Sequence, residues 1–211
     1  MKLLNFDRIL CLSAHPDDVE YGMLGSINKY KNTKFDILVF SHGGDFDPTT
    51  YCRKEECKTI WDKIPNVTGE FLSDKEKSIN NMYIKALTED KWVNIIENTI
   101  DLTAYDCIFT LPQDDSQFEH KIINNITYAL IRNKKLGLVT YRSPSTLDSW
   151  VANCFVEIDL DKKIKLLTNF ISQKHRLYFN EISIKEFHIN YQCSRRNIKY
   201  VEYFKIERIY S

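Results

Sequence analysis

Short apolar runs alternate with stretches of helical periodicity along most of this chain, and that alternation restricts the fold more than any other feature. Apolar runs of strand length, separated by helix-period segments, build a mainly parallel sheet covered by helices. Strands are expected at Ile9–Ser13, Phe35–Phe40, near Val67–Leu72, at Asp106–Leu111 and at Leu138–Tyr141. Helices are expected at about 22–31, 51–63, 90–102 and 119–133. Met23, Leu24, Ile27 and Tyr30 share one face of the first, and Trp92, Ile95, Ile96 and Ile100 share one face of the third. The C-terminal third is less regular, with helices expected at about 161–173 and 181–194 and a closing strand at Tyr200–Ile209. The reading is an α/β chain, a mainly parallel Rossmann-like sheet with flanking helices, forming a single domain over residues 1–211.

Composition narrows the partners. The 29 basic residues balance the 29 acidic ones, so no global field recruits nucleic acid or an anionic membrane. No apolar run reaches the roughly 18 residues that mark a membrane span, so no integral membrane segment is expected. An acidic residue, Asp7, stands where a signal peptide carries its apolar stretch, and the chain reads as cytoplasmic. The six cysteines form no Cys-x-x-Cys pair, and Cys11 and Cys107 lie inside strand-like runs, which points to buried thiols. The many aromatic residues leave room for a homo-oligomer.

Residues 14–20, 42–50 and 112–120 each follow the C-terminal end of an expected strand, the edge where open α/β sheets bind ligands. The first holds Ala14-His15-Pro16-Asp17-Asp18. Pro16 fixes its own φ and keeps His15 out of helical geometry, so His15 and Asp18 can turn toward one point with Asp17 beside it. With a later histidine, such as His120, they make a three-ligand set with one open position, as in catalytic zinc sites. A neighbouring carboxylate that does not ligate stands where a general base belongs. Other readings of the same residues remain: a simple Pro-Asp-Asp turn, an acidic magnesium pocket without His15, or the two-histidine, one-carboxylate triad of iron oxygenases.

Ala14-His15-Pro16-Asp17-Asp18-x-Glu20 resembles the signature of the PIG-L/LmbE-type deacetylases, zinc enzymes acting on N-acetylglucosamine conjugates. Weaker stretches follow in the family's order. They are Arg53-x-x-Glu56, Asp115-Ser116-Gln117-Phe118-Glu119-His120, Tyr141 to Ser145, Asn153 to Asp159, Lys163 to Gln173, and Tyr200-Val201-Glu202-Tyr203-Phe204. The resemblance implies an LmbE-like three-layer fold. It makes His15, Asp18 and His120 ligands of Zn2+, with Fe2+ an alternative, and Asp17 the general base. Arg53 would face the sugar or a phosphate on it; a surface ion pair with Glu56 is the competing reading. The implied substrate is a small-molecule N-acylated amino sugar or conjugate.

Two residues depart from the family pattern: Gln117 replaces a histidine, and Glu119 replaces an aspartate. Gln117 can donate a hydrogen bond to an oxyanion but cannot shuttle a proton, which leaves open a weakly active or purely sugar-binding relative. His42, at the end of the second strand, could compensate as a substrate-side residue; a satisfied loop histidine is the competing reading. Glu119 is expected to support His120 from behind, and His175 and His188 are read as structural.

Overall fold

The computed structural model describes residues 6–41, 50–76, 83–191 and 197–210. Five parallel strands form its centre: β1 (Arg8–Ser13), β2 (Lys34–Val39), β3 (Val67–Phe71), β4 (Cys107–Thr110) and β5 (Gly137–Tyr141). Two further strands, β6 (Cys154–Glu157) and β7 (Val201–Arg208), extend the sheet antiparallel beyond β5, in the order β3-β2-β1-β4-β5-β7-β6. The helices are α1 (Asp18–Lys29), α2 (Thr50–Trp61), α3 (Leu72–Lys75), α4 (Glu89–Thr99), α5 (Phe118–Ile131), α6 (Leu160–Leu167) and α7 (Glu181–His188). α1 packs with α6 and α4 with α5, as expected when right-handed crossovers place helices on opposite faces. No described helix is long and apolar enough to cross a membrane.

β1 lies between β2 and β4, and Ile9 to Leu12 are wholly or almost wholly buried, which explains their uninterrupted apolar run. Cys11 and Cys107 are buried within β1 and β4. The connections reverse direction between β1 and β4. That topological switch opens a crevice at the C-terminal ends of these strands.

Four differences separate the structure from the sequence reading. α1 begins at Asp18, four residues before the expected start, because Asp17 caps it and Glu20 accepts the Asp17 backbone N–H at 3.1 Å. Gly22 and Gly25 do not delay the helix; they admit its neighbours. A Cβ on Gly22 would meet the Tyr141 ring at 2.6 Å, and one on Gly25 would meet Ile158 at 2.7 Å. The segment expected as one helix over 161–173 ends at Leu167 and continues as a 3₁₀ turn, Ile171–Gln173, and α7 stops at His188. β6 was hidden because its pattern is too short and half-buried to alternate cleanly.

The C-terminal strands are tied to α1 by a buried ionic cluster. Lys163 Nζ lies 2.5 Å from Glu202 Oε1 with both side chains fully buried, and it also donates to the Tyr21 carbonyl. Glu202 accepts the Gly25 and Ser26 backbone N–H groups at 2.8 and 2.6 Å. His188 accepts from Lys163 through Nε2 at 2.8 Å and donates from Nδ1 to the Ile184 carbonyl at 2.7 Å, which fits the neutral ring. Burial, and then the Lys163 charge, hold its pKa well below 6.5. The unfolded chain therefore takes up a proton below about pH 6.5 that the folded chain refuses, and stability present above that pH is lost as pH falls. Wild type should lose up to about 1.4 kcal/mol per pH unit below 6.5 relative to His188→Gln. Urea unfolding of both proteins between pH 7.5 and 5 measures the difference, and parallel curves would remove His188 from the account.

Candidate active site

β1 delivers the first half of the site. Ser13 Oγ donates to the His15 carbonyl, and the His15 N–H donates to Asp18 Oδ2 at 2.8 Å, folding Pro16 and Asp17 into a tight corner. Asp17 occupies that corner at φ 103°, a left-handed conformation that costs an L-residue on the order of 1–3 kcal/mol. Asp17 is buried, at 6% exposure, and among the described residues its Oδ2 has no hydrogen-bond partner. Burial first, then the Asp18 charge, push its pKa well above the usual carboxylate range, while Arg53 and Arg176 pull it back.

β4 and α5 deliver the second half. Asp115, fully buried, accepts the Gln117 backbone N–H at 2.8 Å, and α5 starts immediately after, bringing His120 round to face Asp18. His120 Nε2 lies 3.3 Å from Asp18 Oδ1, and His15 Nδ1 lies 3.8 Å from Asp18 Oδ2. One donor atom each from His15, Asp18 and His120 falls within 4.8 Å of the others. Ligands about 2.0–2.2 Å from a shared tetrahedral centre stand roughly 3.3 Å apart, so this spacing suits a small divalent cation.

The far nitrogen of each ring is held by a carboxylate. Asp115 Oδ2 lies 3.1 Å from His120 Nδ1, with Ser143 Oγ donating to the same oxygen at 2.8 Å. Glu119 Oε2 lies 2.6 Å from His15 Nε2. Such contacts set the tautomer and turn the other nitrogen toward the metal position. Glu119 was expected behind His120; it serves His15 instead. Adjacent residues on a helix project about 100° apart, so Glu119 and His120 cannot face one another, and Asp115 in the preceding turn takes that place. Asp115 stood at the head of the quoted motif, so its carboxylate was the available signal. Ser143 and Ser145, which flank His120 Nδ1 at 3.5 and 3.2 Å, carried no such signal.

Burial lowers and the two flanking carboxylates then raise the His120 pKa, to about 10, while Asp18, opposed by burial but favoured by His120, falls to about 2. Carboxylates from Asp18, Asp115 and Glu119 thus surround the two imidazoles. The cluster's donor set, the carboxylate behind each ring and the unpartnered Asp17 oxygen beside it all fit a divalent cation among the described residues.

In front of these groups lies a cavity of about 310 Å³ bounded by Asp17, Asp18, Tyr21, Gln117, Ser145, Arg176 and Tyr178. Gln117 lines it with a side chain that α5 does not use as a cap. Arg53 is buried on α2, at 5% exposure; Glu56, one turn on, accepts from the Ser172 N–H and Oγ at 2.9 and 2.6 Å. His42 lies outside the described residues. His175 Nδ1 lies 2.9 Å from the Ser172 carbonyl, and His188 belongs to the buried Lys163 cluster. Arg176 and Tyr178 were not singled out from sequence, because nothing local marks an exposed turn as a cavity wall.

Residues 10–131, more than half of the chain, match the family described as PIG-L: GlcNAc-PI de-N-acetylase. The chain belongs to this family. Solved structures agree on the fold. An N,N'-diacetylchitobiose deacetylase from Pyrococcus horikoshii, crystallised with an inhibitor, superposes with a TM-score of 0.69 at 15% identity, covering 96% of this chain and 84% of its own. The zinc-inhibited form of the teicoplanin deacetylase Orf2 gives 0.66 at 11% identity, covering 93% and 96%. GalB, the 4-carboxy-2-hydroxymuconate hydratase from Pseudomonas putida, gives 0.68 at 14%, covering 97% and 98%. No curated protein matches the sequence. At these identities the structural likeness concerns the fold, and it spans both amide hydrolysis and hydration; the chemistry has to be argued from the site.

Proposed function

We propose that the protein is a metal-dependent hydrolase that removes an N-acyl group, acetyl in the first instance, from an amino sugar or sugar conjugate. The observation that carries this reading is the His15, Asp18 and His120 triad with the buried, unpartnered oxygen of Asp17 at its side. Membership of a de-N-acetylase family and the sugar and glycopeptide deacetylases among the similar structures support it. A divalent cation held by the triad, Zn2+ or alternatively Fe2+, would supply Lewis acidity toward the amide carbonyl and the attacking water.

The chain's own residues account for the rest. Asp17 takes a proton from the attacking water and returns it to the nitrogen as the amide C–N bond breaks, leaving a carboxylate and an amine. Gln117, at the cavity wall, donates an amide N–H to the developing oxyanion. It has no titratable proton, so proton traffic falls to Asp17. Arg53 and the cavity wall orient the sugar.

The test pairs metal content with acetate release. Wild type should hold about one zinc or iron ion per chain and release acetate from one or more N-acetylated amino sugars. His120→Ala should lose most of the metal and all measurable release. Metal without release on a broad panel would favour a sugar-binding relative, and substrate hydration without acetate would favour chemistry like that of GalB. No metal in wild type, even after reconstitution, would remove the basis of the proposal.

A further inference from the structure

Resting on the deacetylase reading, we propose that Arg176 is a specificity residue that selects substrates carrying an anionic group, a phosphate or a carboxylate, on the sugar or its aglycone. Arg176 lines the same cavity as Gln117, Tyr178 and the carboxylates of Asp17 and Asp18. Its guanidinium is held by a neutral partner: Nε donates to Gln173 Oε1 at 2.8 Å, and Gln173 is fully buried. Among the described residues the Arg176 side chain bonds through Nε to Gln173 while it lines the cavity, which leaves its two terminal amino groups for an incoming group. An arginine fixed at Nε presents those two groups as a planar fork, the geometry that takes both oxygens of a phosphate or carboxylate.

The segment carrying it is built, not incidental. Glu56 on α2 holds Ser172 by two hydrogen bonds, the Gln173 side chain donates to Ser172 Oγ at 3.1 Å, and the Arg176 backbone N–H donates to the Gln173 carbonyl at 2.9 Å. On the far side, the Tyr21 hydroxyl donates to the Tyr178 carbonyl at 2.8 Å, and the Tyr21 ring packs edge-on against Tyr178 and Phe179. Arg176 is thereby anchored both to the helix that carries Arg53 and to the helix that begins at Asp18. Arg176 lines the cavity, whereas Arg53 is buried on α2. A neutral sugar offers the Arg176 charge no counterpart; an anionic substituent does.

The probes are N-acetylglucosamine as the neutral sugar, its 1-phosphate and 6-phosphate, and N-acetylmuramic acid for the carboxylate. Zinc-loaded wild type should prefer at least one anionic sugar by about tenfold or more in kcat/KM, mostly through KM. Arg176→Gln should cost that substrate about tenfold to a hundredfold more than it costs the neutral sugar, and Arg176→Lys should fall between. Preference among the probes separates phosphate from carboxylate. Equal losses on neutral and anionic sugars, or no anionic preference in wild type, overturn the proposal. Binding is measured independently of turnover, by calorimetry with glucosamine 1-phosphate, glucosamine 6-phosphate and muramic acid on zinc-loaded wild type and Arg176→Gln. Unchanged affinity for all three rejects the role of Arg176 even if deacetylation stands. Weakened binding without any turnover upholds the role and instead counts against deacetylation.

Discussion

Asp17→Asn is expected to lower kcat by about 10²- to 10⁴-fold on any N-acetylated sugar that wild type turns over, with metal content unchanged. The substitution isolates chemistry from structure. Asparagine tolerates the left-handed corner that Asp17 occupies at φ 103° and can cap α1 equally well. Alanine would do neither, and its loss of activity could come from a displaced Asp18. Removing the charge also relieves a buried carboxylate that burial and Asp18 both disfavour, so the urea midpoint should be equal to or higher than that of wild type. Lower activity with undiminished stability is the signature of a group kept for its reaction. Activity within tenfold of wild type would remove Asp17 as the base.

Lys163→Met is expected to destabilise the fold by about 3–5 kcal/mol, the usual cost of breaking a buried ion pair from one side. Methionine fills much of the volume, so the loss is electrostatic: the Glu202 carboxylate keeps its two backbone donors on α1 but loses its cation. The double variant with Glu202→Gln should recover a large part of that loss, because the remaining group is neutral and still accepts from α1. Urea unfolding of the two single variants and the double one decides it. A loss below about 1 kcal/mol for Lys163→Met would mean that water reaches this cluster. The effect extends to the site, since Lys163 also holds the Tyr21 carbonyl on the helix that begins at Asp18.

Much of this architecture follows from local pattern. The five parallel strands fall where the sequence reading put them, to within a residue or so at each end. β1, β4 and β5 are buried along almost their whole length, because a strand covered on both faces is apolar throughout, whereas β3 at the sheet edge alternates. The corner at His15 to Asp18 is equally local: proline, a left-handed aspartate and a carboxylate cap act within a few residues of one another. For the same reason the sequence pointed to a three-ligand centre of His15, Asp18 and a later histidine. Everything that depends on residues far apart in the chain was decided by tertiary structure. The switch between β1 and β4 brings Glu119 to His15 across 104 positions, where helical geometry denies it His120. Glu202 reaches α1, and Arg176 reaches the cavity rim through Glu56, Ser172 and Gln173, only because the last strand doubles back antiparallel and the chain before it folds over α1 and α2. A hydrogen bond between distant residues leaves no periodicity in the sequence, so pattern shows which groups exist but not which of them meet.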